Sequence, residues 1–162
     1  METERAEKIG SRQAIKAVTI GLIIAHLIMA LPTIADDGLI KGFFWFLHVS
    51  FKYNLLVGVI CMYLCGHFFG QRAGYEIIIR KRNNFVVGFI CGLLIIVTTT
   101  FLTSWVGFFQ EGMDNITSND NPFEDYIFKP VFLVSIFGLV PCLFVGLWFG
   151  YSIKKRGDLT KT

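Results

Sequence analysis

Long apolar runs separated by short polar stretches set the pattern of the chain. AVTIGLIIAHLIMALPTIA fills 17–35, YNLLVGVICMYLCGHFFG 53–70, FVVGFICGLLIIVTTTFLTSWVGFF 85–109 and IFKPVFLVSIFGLVPCLFVGLWFGY 127–151. None alternates polar and apolar residues as a lipid-facing barrel strand does. A bilayer core about 30 Å thick takes roughly 20 residues of helix, so each run can span it, the second with help from the residues before it. The pattern predicts an all-α polytopic membrane protein. Its single domain has four transmembrane helices folded as two consecutive helical hairpins, with loops 36–52 and 110–126 on one side and 71–84 on the other.

The stretch FFWFLHVSFKYN at 43–54 admits two readings. It is either an aromatic lip in the headgroup region, with Trp45 and Tyr53 at the interface and Lys52 snorkelling to water, or the first turns of a tilted second helix. The lip is preferred, because a rigid span from 43 would carry Lys52 well inside the bilayer. Pro32 and Pro141 are expected to kink or end their helices.

Composition agrees with this picture: 54% of the 162 residues are hydrophobic, 17% are charged, and the net charge is +3. The charges lie between the runs, and their placement sets orientation. With the N-terminus cytoplasmic, Arg5, Lys8, Arg12, Lys16, Arg72, Arg80, Lys81, Arg82, Lys154, Lys155, Arg156 and Lys161 fall inside. Only Lys41, Lys52 and Lys129 fall outside, so the positive-inside bias places both termini in the cytoplasm, as for a bacterial inner-membrane protein. The first run lacks a small-residue cleavage site and is expected to be retained. Cys61, Cys65, Cys91 and Cys142 all lie within apolar runs, where they are expected as reduced, packed thiols.

CGHFFGQRAGYEIIIRKR at 65–82 and VGLWFGYSIKKR at 145–156 share an order of small residue, aromatics, glycine, tyrosine, isoleucine and basic cluster. In the predicted topology they are the cytoplasmic ends of the second and fourth spans, as in a repeat of two parallel hairpins with Gly66, Phe69 and Gly70 aligned on Gly146, Phe149 and Gly150. Gly66 with Gly70, Gly146 with Gly150, and Gly88 with Gly92 each clear one helix face for close approach, and Gly58 extends the first of these faces. They are candidates for helix packing within the chain and for homo-oligomerisation.

Candidate chemistry is sparse. His26 stands near the centre of the first span, where an ionisable group is a functional candidate by default, although a neutral imidazole bonded to a neighbouring helix is the simpler account. Thr99 and Thr103 share a face of the third span and could line a narrow aqueous path, or bond back to their own helix. Cys61, Cys65, Cys91 and His67 permit a metal site on paper, but no close cysteine pair supports one. No metal or other cofactor is expected. The loop 110–126 is acidic, through Asp114, Asp120, Glu124 and Asp125 among others. On the other face Arg72, Arg80, Lys81, Arg82, Lys154, Lys155 and Arg156 form a basic collar suited to anionic lipid headgroups or to a cytoplasmic protein partner. No base-reading motif accompanies it, so direct sequence-specific nucleic-acid binding is not expected. No nucleophile elbow, paired acid and base, zinc-helix motif or phosphate loop occurs, and enzymatic activity is not expected either.

In layout the chain resembles the membrane subunit of the bacterial Kiwa anti-phage system. The likeness is architectural and extends over the chain: four spans, both termini inside, a basic cytoplasmic collar. It carries no motif and assigns no site residue. It implies an oligomeric, non-enzymatic membrane sensor or anchor that recruits or regulates a separate cytoplasmic effector. The other readings of the same pattern are a small oligomeric channel or transporter, and an accessory subunit of a larger membrane complex.

Overall fold

The computed structural model describes residues 2–47, 51–112 and 121–159. Among these the chain is helical throughout, without strands. Helix α1 is Glu2–Asp37, and α2 is a short helix, Leu39–Phe43, followed by a single tight turn at Trp45–Leu47. The remaining long helices are α3, Lys52–Gly74, α4, Asn84–Gly107, and α5, Lys129–Leu159. With their flanking turns, α1, α3, α4 and α5 are each long and apolar enough to cross a membrane. Pro32 and Pro141 lie inside α1 and α5 without ending them.

The long helices form a ring in which α1 touches α3, α3 touches α4, α4 touches α5, and α5 returns to α1. The tightest contacts are glycine seams. A side-chain carbon on Gly10 would strike the Gly70 carbonyl and come within 2.7 Å of the Gly74 backbone, and one on Gly74 would strike Ala6 and come within 3.0 Å of Gly10 Cα. In the second pair, a side-chain carbon on Gly88 would strike the Gly146 carbonyl and come within 2.8 Å of the Gly150 backbone. One on Gly150 would strike Asn84. With no side chain between them, backbones approach closely enough for dispersion contacts along both helices.

These contacts correct the register of the repeat. Gly70 and Gly74 hold on α1 the places that Gly146 and Gly150 hold on α4, with Gly10 matching Gly88. In these contacts Gly70, not Gly66, corresponds to Gly146, one helical turn from the alignment of the sequence phrases. The corrected register also superposes Gly74-Tyr75-x-Ile77 on Gly150-Tyr151-x-Ile153, and both isoleucines are buried.

Burial is concentrated at the end of the bundle that carries the basic residues. One cluster of Ala14, Ala17, Ala73, Ile77, Cys91, Phe149 and Ile153 draws on α1, α4, α5 and the end of α3 with its terminal turn. A second, of Val18, Cys65 and Ile95, lies a turn or two farther along. The rest of the exterior is apolar: Phe132, Phe137 and Phe144 on α5 are each about two-thirds or more exposed, as are Leu31, Leu39 and Ile40 in the first half of the chain. All four cysteines are free thiols, three of them buried.

Residues 43–47 are not the start of the second long helix, which begins at Lys52. The segment folds back on α1, where Gly42 packs against Ile34 and the rings of Phe43, Trp45 and Phe46 gather round His26.

Candidate functional site: a buried glutamate among arginines

The last turn of α3 widens at Tyr75–Ile79 into a π-helical turn, with Arg80 N–H donating to the Tyr75 carbonyl at 3.2 Å. The chain must then reverse within a few residues to begin α4, which Asn83 caps by accepting from Phe85 N–H at 2.9 Å. Lys81 makes the reversal, at φ 53° in the left-handed region, and Arg82 N–H reaches back to the Glu76 carbonyl at 3.0 Å.

This geometry converges three arginines on one carboxylate. Glu76 is only 6% exposed. Arg72 Nη2 lies 2.9 Å from its Oε1, Arg80 Nη1 3.3 Å from the same oxygen, and Arg82 Nε 3.2 Å from Oε2, the last without the alignment of a hydrogen bond. The 72-76-80 spacing places the first three on one helix face, and the left-handed residue brings in the fourth. The Arg72 and Arg80 guanidiniums also lie over the Tyr75 ring, 5.5 and 5.4 Å from its centroid.

Magnitudes explain why there are three. Burying a carboxylate costs several kcal/mol, whereas one half-exposed ion pair contributes roughly 0–1 kcal/mol. A single arginine would leave Glu76 a net cost; three, with a charge-assisted hydrogen bond, can offset it. The hub in turn fixes the three guanidiniums in place. Beside it, His67 Nδ1 is 2.8 Å from Ser11 Oγ and its Nε2 is 3.0 Å from Gln71 Nε2, tying α3 to α1.

Two clefts flank the hub. One, of about 370 Å3, is lined by Glu7, Phe68, Gln71, Arg72, Tyr75 and Arg80. The other, of about 540 Å3, lies between the reversal and the end of α5, with Lys81, Arg82 and Lys154 on its walls. Lys155 and Arg156 are exposed and have no ion-pair partner among the described residues.

The basic candidates thus divide into a hub (Arg72, Arg80, Arg82), a cleft wall (Lys81, Arg82, Lys154) and a free pair (Lys155, Arg156). Gly66, Gly70, Gly88, Gly92, Gly146 and Gly150 all face helices of their own chain, so their faces are already filled. Gly58 does not extend the Gly66–Gly70 face, which is turned to α1: eight residues carry it about 80° round the helix, and it meets Thr103 of α4 at 3.4 Å. Among the described residues His26 packs against aromatic rings with no hydrogen bond, and Trp45 Nε1 beside it is buried with no partner. Thr103 bonds back to the Thr99 and Thr100 carbonyls at 3.0 and 3.1 Å, while the buried Thr99 hydroxyl has no partner among the described residues. No group of three metal-ligating side chains comes together among the described residues. Glu124 and Asp125 both reach Lys129; Asp114 and Asp120 lie outside the described residues.

Sequence reasoning overlooked Glu76, although its spacing from Arg72 and Arg80 was a readable signal. It also overlooked Gly74, four residues after Gly70, and Gly10, set four residues from Ala6 and Ala14 among charged residues. No family model, curated protein or solved structure matches the chain.

Proposed function

We propose that the chain is a non-enzymatic, multi-pass protein of a bacterial inner membrane, built as two repeated helical hairpins with both termini cytoplasmic. It self-associates and presents its basic end to a cytoplasmic effector with an acidic surface, in the manner of the Kiwa membrane subunit. The observation that carries this reading is the division of the collar: Glu76 holds three arginines in place, and Lys155 and Arg156 remain unpaired and exposed beyond them. Charges left unpaired at an exposed helix end are available to steer and hold an acidic partner. The apolar exterior of α1 and α5 supports lipid contact, and the inside placement follows from the basic residues. Because the glycine faces are filled within the chain, a second copy would dock elsewhere, and the exposed side of α5, with Phe132, Phe137 and Phe144, is one apolar surface open to it.

Purification of the full chain in mild detergent from its host tests the reading. The wild type is expected to retain an acidic soluble protein that K155E/R156E loses and that raised salt releases. Equal retention by both chains, or retention of nothing, rejects the effector role.

A further inference from the structure

We propose that the cleft between residues 81–84 and the last turns of α5 binds the phosphate headgroup of an anionic phospholipid. Three cations, Lys81, Arg82 and Lys154, line it against one acid, Asp158. Arg82 is drawn to Glu76 by an ion pair, Nε 3.2 Å from Oε2, and its two Nη groups have no partner among the described residues. They leave a guanidinium fork free for bidentate binding of phosphate. Asn83 already occupies the Phe85 and Val86 amides, so side chains would hold the anion, with the dipole of α4 favouring negative charge there.

The floor of the cleft identifies the source of the phosphate. Ile77 and Ile78 form it, and Gly157 lets α5 close over Ile78, since a side-chain carbon there would lie 3.0 Å from Ile78 Cγ1. A volume of about 540 Å3 is in the range of small-molecule sites and exceeds what a bare ion fills. A lining of both cations and isoleucines matches a headgroup with its glycerol and first methylenes. A soluble phosphate would use only the cations. The sequence repeat adds a contrast: Lys154 stands where the first hairpin has Ile78, so a cationic wall on α5 faces an apolar floor from the π-turn.

The inference rests on the membrane reading above and is independent of the effector. The test follows the thermal midpoint of the full chain in dodecyl maltoside as phosphatidylglycerol is titrated, with phosphatidylcholine, glycerol phosphate and inorganic phosphate as comparison probes. The wild type is expected to show a saturable rise with phosphatidylglycerol alone. At roughly fivefold per cation, R82Q/K154Q should raise half-saturation about 25-fold, and K81Q alone about fivefold. K155Q/R156Q, with the same change of charge, should move it less than about threefold, as expected for screened charges off the site. No rise with phosphatidylglycerol, an equal rise with phosphatidylcholine, or equal weakening by the two double variants would overturn the site. A rise with inorganic or glycerol phosphate as large as with the lipid would make it a free-phosphate site and overturn the lipid assignment. If R82Q/K154Q fails to fold, as judged by helical circular dichroism, K81Q decides. Lipid binding lost with effector capture intact rejects only the cleft, and the reverse result rejects only the effector.

Discussion

The two glycine seams have the same construction and end differently. On α1 and α3, Ala6 and Gly10 meet Gly70 and Gly74; on α4 and α5, Asn84 and Gly88 meet Gly146 and Gly150. Each second helix continues through Gly-Tyr-x-Ile into a basic stretch. There Glu76 gathers three arginines, whereas its counterpart Ser152 gathers none, and the cations that follow it stay on the surface. Packing is what the halves share and electrostatics is what separates them. A feature shared by both halves serves the fold. One present in only one half is where a role beyond folding should be sought, and that points to the hub and the cleft beside it.

The largest expected effect tests the shared part. Gly74→Leu and Gly150→Leu each force a side chain into the backbone of the facing helix, with Gly10 Cα within 3.0 Å in one seam and Gly88 Cα within 3.2 Å in the other. Backbone cannot swing aside as the end of a long side chain can. Each variant should lose about 3 kcal/mol or more, read as a collapse of the thermal midpoint and aggregation in detergent. A tolerated leucine in either seam would break the equivalence.

The next effect tests the difference. Glu76→Gln keeps the shape and removes the charge, releasing arginines that are 46–62% exposed and can turn to water. The expected loss is about 1–2 kcal/mol, below that for breaking a fully buried pair, because no uncompensated charge is left inside. Ser152→Ala should stay within about 0.5 kcal/mol. Equal effects at the two positions would mean that the hub contributes no stability of its own.

The four long helices were legible because hydrophobic length is a property of each run alone. The α4–α5 seam was legible too, since Gly88, Gly146 and Gly150 lie within the runs; the α1–α3 seam was not, because it depends on residues outside them. Ala6, Gly10 and Ala14 sit in a stretch of mixed charge ahead of the first run, yet both alanines are 1% exposed. The repeat was legible as a phrase and ambiguous in register: glycines at 66, 70 and 74 recur every four residues, so two alignments one turn apart fit Gly146 and Gly150 equally well. Tyr75 against Tyr151 could have chosen between them. Glu76 was hidden by its setting, since one acid in a basic collar reads as a minor discount on charge until the reversal at Lys81 brings Arg82 round to it. The aromatic segment round His26 was half legible. Its separation from the second helix followed from Lys52, but its return along α1 depends on Gly38, at φ 87°, and on the missing side chain of Gly42.

A graded series runs along α3, whose glycines pass from crowded to open away from the basic end, with Gly74 and Gly66 facing α1 and Gly58 facing α4. A side-chain carbon on Gly74 meets backbone; on Gly66 it meets Val18 Cγ2 at 2.9 Å; on Gly58 it meets Thr103 Cγ2 at 3.4 Å, an ordinary contact. Alanine at these positions should therefore cost progressively less. Gly74→Ala should lose roughly 2–3 kcal/mol, within the usual range for overpacking. Gly66→Ala should lose about 1 kcal/mol, because a valine methyl can yield by a few tenths of an ångström while its backbone stays in place. Gly58→Ala should fall within about 0.5 kcal/mol of the wild type, since nothing has to move. Thermal midpoints of the three variants in one detergent give the order directly. A flat series, or one steepest at Gly58, would mean that the far half of the bundle is packed as tightly as the basic half, and the contrast between a rigid basic end and a looser far end would be lost.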